Sequence, residues 1–195
     1  MRRCAFLSTD DLDDFVIYDE LTYPHFADLG WTVDAVPWRS QVDWGSYELV
    51  VIRSPWDYQD EPERFVEVLV EIDRATRLHN GLEVVRWNLR KDYLRDLAGR
   101  GVAIVPSLFR DAGEPLDDDL FEQLGARKIV VKPQVSANAD HTYVLDPDRL
   151  AAERAPRAAF AGAACSLTAA CCALAPLSLT WIFTALSAEG VLPLP

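Results

Sequence analysis

Two groups of residues in this chain have the chemistry to hold a small charged molecule. The first is Arg53-Ser54-Pro55-Trp56-Asp57-Tyr58, which places a cation, a hydroxyl, an anion and two aromatic rings directly after the apolar run Leu49-Val50-Val51-Ile52. That set fits a substrate pocket for a small charged molecule, and it equally fits a capped turn with Trp56 packed on a sheet. Ser8-Thr9-Asp10 ends an earlier apolar run in the same manner. The second group is built on lysine. Lys91, Lys128 and Lys132 are the only lysines among 19 basic residues. Lys132 follows Ile129-Val130-Val131 and precedes Pro133 and the small polar stretch Val135-Ser136-Ala137-Asn138-Ala139-Asp140. A strand lysine beside such a loop can hold phosphate oxygens as a compact cation while backbone N–H groups close over them. The other reading is an edge-strand lysine that discourages pairing, with Pro133 marking the strand's end.

These residues need elements to position them. Arg3 to Ser8 and Thr32 to Pro37 read as strands, and Tyr47 to Ile52 as a strand buried on both faces. Asp19 to Leu29 has helical apolar spacing, with Gly30 as its stop. Pro62 to Arg77 predicts an amphipathic helix with Phe65, Val68, Leu69 and Ile72 on one face, and Leu82 to Trp87 a short strand. Strands alternating with helices at this spacing give an α/β unit with a parallel sheet over residues 1–88. Ligands of such sheets bind beyond the carboxyl ends of the strands, where Thr9, Asp10 and the Arg53–Tyr58 cluster fall. A second unit, α+β in character, occupies residues 89–155. It reads as a helix from Lys91 to Arg100, a strand from Val102 to Pro106 and a short helix from Leu120 to Leu124. A hairpin follows, Lys128 to Pro133 with Thr142 to Leu145, and then a helix from Asp148 to Arg154.

Composition narrows the function. The chain has 195 residues, half of them hydrophobic, and a net charge of −12. It is globular rather than disordered, and so acidic a surface repels phosphate backbones, which excludes a general nucleic-acid binder. The N-terminal apolar run stops at Ser8 and is followed by Asp10 and Asp11, too short for a secretory signal, so a cytoplasmic start is expected. Cys4 reads as a small buried strand residue. Cys165, Cys171 and Cys172 lack the spacing or the histidine of a zinc site, and no metal site is predicted.

Three blocks, in order, resemble the ATP-grasp superfamily: Trp87-Asn88-Leu89-Arg90-Lys91-Asp92-Tyr93-Leu94, Gly101-Val102-Ala103-Ile104-Val105-Pro106-Ser107 and Val130-Val131-Lys132-Pro133. The run Val50 to Tyr58 is similar to the glutathione-synthetase-like branch that includes the D-cycloserine-forming ligases. The resemblance covers about residues 3–154. It implies a preATP-grasp domain followed by the first lobe of an ATP-grasp domain. It also implies ATP and Mg2+ as cofactors, and ligation of a carboxylate to an amine through an acyl phosphate. Lys91 and Lys132 match the two lysines that contact the nucleotide, and Ser136, Ala137 and Asn138 begin the loop that covers the phosphates. That loop lacks the glycines common in the family. A small amino-acid or peptide-like substrate would be held by Thr9, Asp10, Arg53, Ser54, Trp56, Asp57 and Tyr58.

The resemblance stops where the composition changes. Arg157 and Glu189 are the only charged residues after position 155, so the first 155 residues carry the whole net charge. The family's second lobe, with its acidic and asparagine metal ligands, has no counterpart in residues 156–195. A frameshift or truncation is the expected origin of this uncharged tail. A membrane-spanning tail and an unusual soluble tail are the other readings. Arg154 and Arg157 would flank a span, but Ala, Ser, Thr and Pro176 dilute it, so no membrane partner is expected. The sequence therefore predicts an incomplete ATP-grasp protein, inactive alone. A non-catalytic nucleotide- or small-molecule-binding protein, tail-anchored in one version, is the alternative. Exposed lobe surfaces would call for a covering partner, a second copy of the chain among the options.

Overall fold

A computed structural model describes residues 1–12, 16–112, 114–116, 119–152 and 165–169. Its first unit is a four-stranded, wholly parallel sheet in the order β2-β1-β3-β4, formed by β1 (Arg2–Ser8), β2 (Trp31–Pro37), β3 (Leu49–Ser54) and β4 (Arg77–His79). β1 lies between two partners, and Cys4, Ala5, Phe6 and Leu7 are all essentially solvent-free. This is the strand buried on both faces. β3, expected in that role, buries Val50 fully but leaves Leu49, Val51 and Ile52 partly accessible.

Helix α2 (Pro62–Ala75) begins with proline at its first position, where the missing N–H costs nothing. It lays Phe65, Val68, Leu69 and Ile72 on the sheet, where they join Ala5, Leu7, Trp38 and Val50 in one core. Each such side chain contributes about 1.5–3 kcal/mol by leaving water. On the other face Phe6 meets Tyr23 and Phe26 of α1 (Tyr23–Asp28) edge-on, at 6.0 and 5.4 Å between ring centroids. The helix expected over Asp19 to Leu29 is split. Asp19–Thr22 is a 3-10 turn ahead of α1, and Leu21 and Leu29 face solvent.

The strand expected over Leu82 to Trp87 is instead helix α3 (Leu82–Asn88). Leu82, Val85 and Leu89 fall at helical spacing and all pack on the core of the first sheet, while Val84 is exposed. β4 supplies the edge strand and ends at His79, ahead of Asn80, which takes a left-handed φ of 62°. Helix α4 (Tyr93–Gly99) starts two residues after Lys91. The strand expected at Val102 to Pro106 is found instead at Ser107–Arg110, where Ser107 stands opposite Thr168 in the ladder with the strand Cys165–Ala169.

The second sheet is antiparallel, in the order β5-β8-β6-β7, from β5 (Ser107–Arg110), β6 (Ile129–Pro133), β7 (Tyr143–Leu145) and β8 (Cys165–Ala169). α5 (Asp119–Leu124) and α6 (Pro147–Ala152) contribute Leu120, Phe121, Leu124 and Leu150 to its core. β8 comes from the uncharged stretch and sits between β5 and β6, with Cys165 and Leu167 buried. The second sheet thus takes a strand from beyond residue 155. The remainder of 156–195, and with it the choice among frameshift, membrane and soluble readings, lies outside the described residues, as does Arg154. No helix among the described residues is long and apolar enough to cross a membrane.

Candidate functional site

Lys91 stands in the short connection between α3 and α4, and its backbone N–H donates to the Gln134 carbonyl at 3.0 Å. That bond ties the connection to the end of β6. The Lys91 ammonium donates to Ser136 Oγ at 2.6 Å and to the Ser136 carbonyl at 3.3 Å. Burial, and then the charge of Lys132, pull its pKa from the usual lysine range down to about 8. Lys91 is thus seated at the start of the loop that begins at Ser136, with the charge of Lys132 near enough to act on it. The loop turns tightly, with Asp140 N–H donating to Ala137 O at 2.9 Å and Thr142 N–H to Ala139 O at 3.1 Å.

The Arg53–Tyr58 segment leaves β3 toward this loop. The Tyr58 hydroxyl donates to the Ser136 carbonyl at 3.4 Å, and Asn138 Nδ2 donates to the Trp56 carbonyl at 3.2 Å. Arg53, Trp56 and Tyr58, with Phe65, Val85 and Asn88, line an open cleft of about 270 Å³. Its lining mixes apolar side chains with Arg53, the Asn88 amide and the polar ends of Trp56 and Tyr58, which suits a small molecule with a polar end. The structure thus brings Lys91, Lys132, Ser136, Ala137, Asn138, Trp56 and Tyr58 into one neighbourhood.

The remaining sequence candidates have other partners. Arg53 Nε donates to Asp19 Oδ1 at 2.9 Å, and Asp19 is buried. Ser54 faces a second cleft of about 270 Å³, shared with Ser8, Asp19 and Tyr23. Asp57 accepts from the Trp38 indole N–H at 2.7 Å and pairs with Arg39. Burial raises the Asp57 pKa, but hydrogen bonds from Thr9, Trp38 and Arg39 outweigh it and hold the carboxyl below the usual range. Arg39 also pairs with Glu61 at 2.8 Å, reaches Asp10 at 3.4 Å and stacks on the Trp38 ring at 4.0 Å. Asp57, Thr9 and Asp10 thus form a brace with Trp38 and Arg39. Trp38, Arg39 and Asp19 were not singled out from the sequence. Trp38-Arg39 directly after the end of a strand was the available signal.

Among the described residues no group of three or more His, Cys, Asp or Glu is placed to hold a metal ion.

Residues 4–80 match the family described as the N-terminal domain of D-cycloserine synthetase DcsG. The cycloserine biosynthesis protein DcsG of Streptomyces lavendulae is 36% identical over 110 residues, which are 54% of this chain and 37% of that protein. The crystal structure of D-cycloserine synthetase DcsG aligns with a TM-score of 0.72 at 25% identity, over 86% of this chain and 59% of that one. A RimK domain ATP-grasp protein from Sphaerobacter thermophilus aligns with a TM-score of 0.64 at 15% identity, over 87% and 64% of the two chains. A D-alanine–D-alanine ligase from Bacillus anthracis, solved with ATP, aligns with a TM-score of 0.56 at 11% identity, over 88% and 59%. The chain spans little more than a third of its curated relative and about three-fifths of the DcsG crystal chain. Its described residues share an α/β fold with solved ATP-grasp ligases, and residues 4–80 match the N-terminal domain of D-cycloserine synthetase.

Proposed function

We propose that this chain is the phosphate-binding portion of an ATP-dependent carboxylate–amine ligase. The observation that carries the reading is the Lys91 ammonium bonded to Ser136 at the root of the loop after β6, with burial and the charge of Lys132 pulling its pKa down to about 8. Two cations held together at a half-buried position are at their most favourable when an anion lies between them. The triphosphate of ATP meets that need. Lys91 and Lys132 hold phosphoryl oxygens, and the N–H groups of Ser136, Ala137 and Asn138 close over them. ATP, when bound, supplies the phosphoryl group that activates a carboxylate. The cleft at Arg53, Trp56 and Tyr58 takes the small amino-acid or peptide-like substrate. The cytoplasm, where ATP is abundant, is the compartment that fits.

The family's metal-holding carboxylates are expected to lie outside the described residues. The chain alone is accordingly expected to bind ATP without cleaving it. Isothermal titration with ATP and Mg2+ tests this. The folded chain binds saturably, and Lys132→Ala weakens binding by about tenfold or more, the value of a lost charge-assisted hydrogen bond. No binding by the native chain would overturn the nucleotide reading. ADP release in the same mixture would overturn the expectation of inactivity.

A further inference from the structure

We infer that Tyr58 and Asn138 are positioning residues, which latch the 136–142 loop over the lysine pair from the first unit. The inference rests on the nucleotide reading above, since it concerns the shape of the same site. Asn138, Ala139 and His141 have φ values of 52°, 62° and 50°. This left-handed region is easy for glycine, tolerable for asparagine and histidine, and unfavourable for alanine. The chain has no glycine between Gly125 and Gly162, so the loop has none with which to make these turns freely. Such backbone persists where its surroundings over-determine it.

Besides Lys91, which bonds Ser136, the surroundings include one short segment of the first unit. Trp56 accepts from Asn138 Nδ2 at 3.2 Å, Tyr58 donates to the Ser136 carbonyl at 3.4 Å, and Gln59 Nε2 donates to Asp140 Oδ2 at 3.4 Å. These contacts join positions 78 to 82 residues apart in sequence. The segment is itself held from behind. Asp57 is fixed by the Trp38 indole and by Arg39, and the Tyr58 ring rests on Phe65 with centroids 5.5 Å apart. The loop's shape is therefore set by contacts with the first sheet's unit, in place of the conformational freedom that glycines would give. Trp56 and Tyr58 also wall the 270 Å³ cleft, so that cleft and the lysine pair share a structural member.

The test uses the full chain and two readouts. Hydrogen exchange of the Asp140 and Thr142 amides, without ligand, follows the latch. Titration with ATP follows its consequence. Tyr58→Phe keeps the ring on Phe65 and removes only the hydroxyl, and Asn138 is exposed, so both Tyr58→Phe and Asn138→Ala are expected to fold. Each should speed exchange of those two amides by about tenfold and weaken ATP binding by about three- to tenfold. Adding Ala139→Gly to Tyr58→Phe should recover part of the lost affinity, because the left-handed turn then needs less support. A side chain that merely touched the nucleotide would not be rescued in this way. Unchanged exchange in both variants overturns the latch whatever ATP does. Faster exchange with unchanged ATP affinity overturns the positioning role. Failure of the native chain to bind ATP overturns the nucleotide reading, and the exchange result then decides the latch alone.

Discussion

The Lys91 ammonium lies 2.6 Å from the Ser136 hydroxyl oxygen, across 45 residues of sequence. It bonds to a neutral acceptor while the charge of Lys132 presses on it. An anion entering here replaces a neutral acceptor by a charged one and offsets the repulsion between the lysines. Both effects favour the protonated form of Lys91.

ATP binding should therefore take up protons near and above pH 8. Free Lys91 titrates at about 8, because of burial and then the charge of Lys132, and the bound anion raises that value. Affinity should fall as the pH climbs past 8. Calorimetry in buffers of different ionisation enthalpy measures the uptake. Lys132→Ala removes one of the two causes and should move the residual profile to higher pH. A flat affinity from roughly pH 7 to roughly pH 9.5 would remove Lys91 from the site. The stability contribution has the opposite sign to that of a lysine gaining a partner. Between about 8 and the unfolded value of 10.5 the folded chain binds fewer protons than the unfolded one. Lys91 then penalises folding at low pH and is relieved as the pH rises through that window.

Asp57→Ala should destabilise the first unit by about 2 kcal/mol or more, since it leaves the Trp38 indole and the Arg39 guanidinium without their shared acceptor. Asp57→Asn keeps an oxygen for Trp38 and should cost less. Burial raises the Asp57 pKa, but Thr9, Trp38 and Arg39 together hold it below the unfolded 3.8. Its stabilisation is thus complete above that value and is lost as the pH falls below it. Urea unfolding followed by tryptophan fluorescence should show the full gap at neutral pH and a shrinking gap in acid.

Cys4 and Cys165 should resist alkylation in the folded chain. Burial pushes both thiols up to about 11, so almost no thiolate exists near neutrality, and both sulfurs are covered. Peptide mapping after iodoacetamide treatment at about pH 8 should find both unmodified, and both modified once urea is present. Labelling of Cys165 in the native chain would contradict the placement of β8.

How far the sequence could be read depended on the range of the forces involved. The edges of β1 and β2 and the buried face of α2 follow from local periodicity, and the expected bounds lie within about two residues of those found. Leu82-Glu83-Val84-Val85 has strand-like composition, and only the burial of Leu82, Val85 and Leu89 on one side reveals a helix. Val102 to Pro106 failed as a strand for another reason. A ladder needs a partner, and β8 lies nearly sixty residues further along, so its register with Ser107 cannot be read locally. The same divide runs through the site. Lys132 and its loop are contiguous and stand out in the sequence. The bond from Trp38 to Asp57 spans 19 residues with no period to announce it, so the sequence offers Asp57 as a substrate ligand without showing the partners its carboxylate has in the fold.

The uncharged stretch provides the sharpest test of the second sheet. Leu167 has no exposed surface and packs in the core with Leu120, Ile129, Val131 and Leu145. Its strand fills the gap between β5 and β6. Leu167→Ala should cost about 2–5 kcal/mol, the range for truncating a buried leucine whose surroundings relax only partly. A chain ending at residue 152 should fare worse, because β5 and β6 would both expose unpaired edges and an open core face. Such a chain should aggregate, and Lys132, on β6, should lose its fixed position. Urea unfolding reads the point variant, and light scattering the shortened chain. If Leu167→Ala unfolds at the native urea concentration, residues 165–169 are not part of this sheet, and the anion site is built without them.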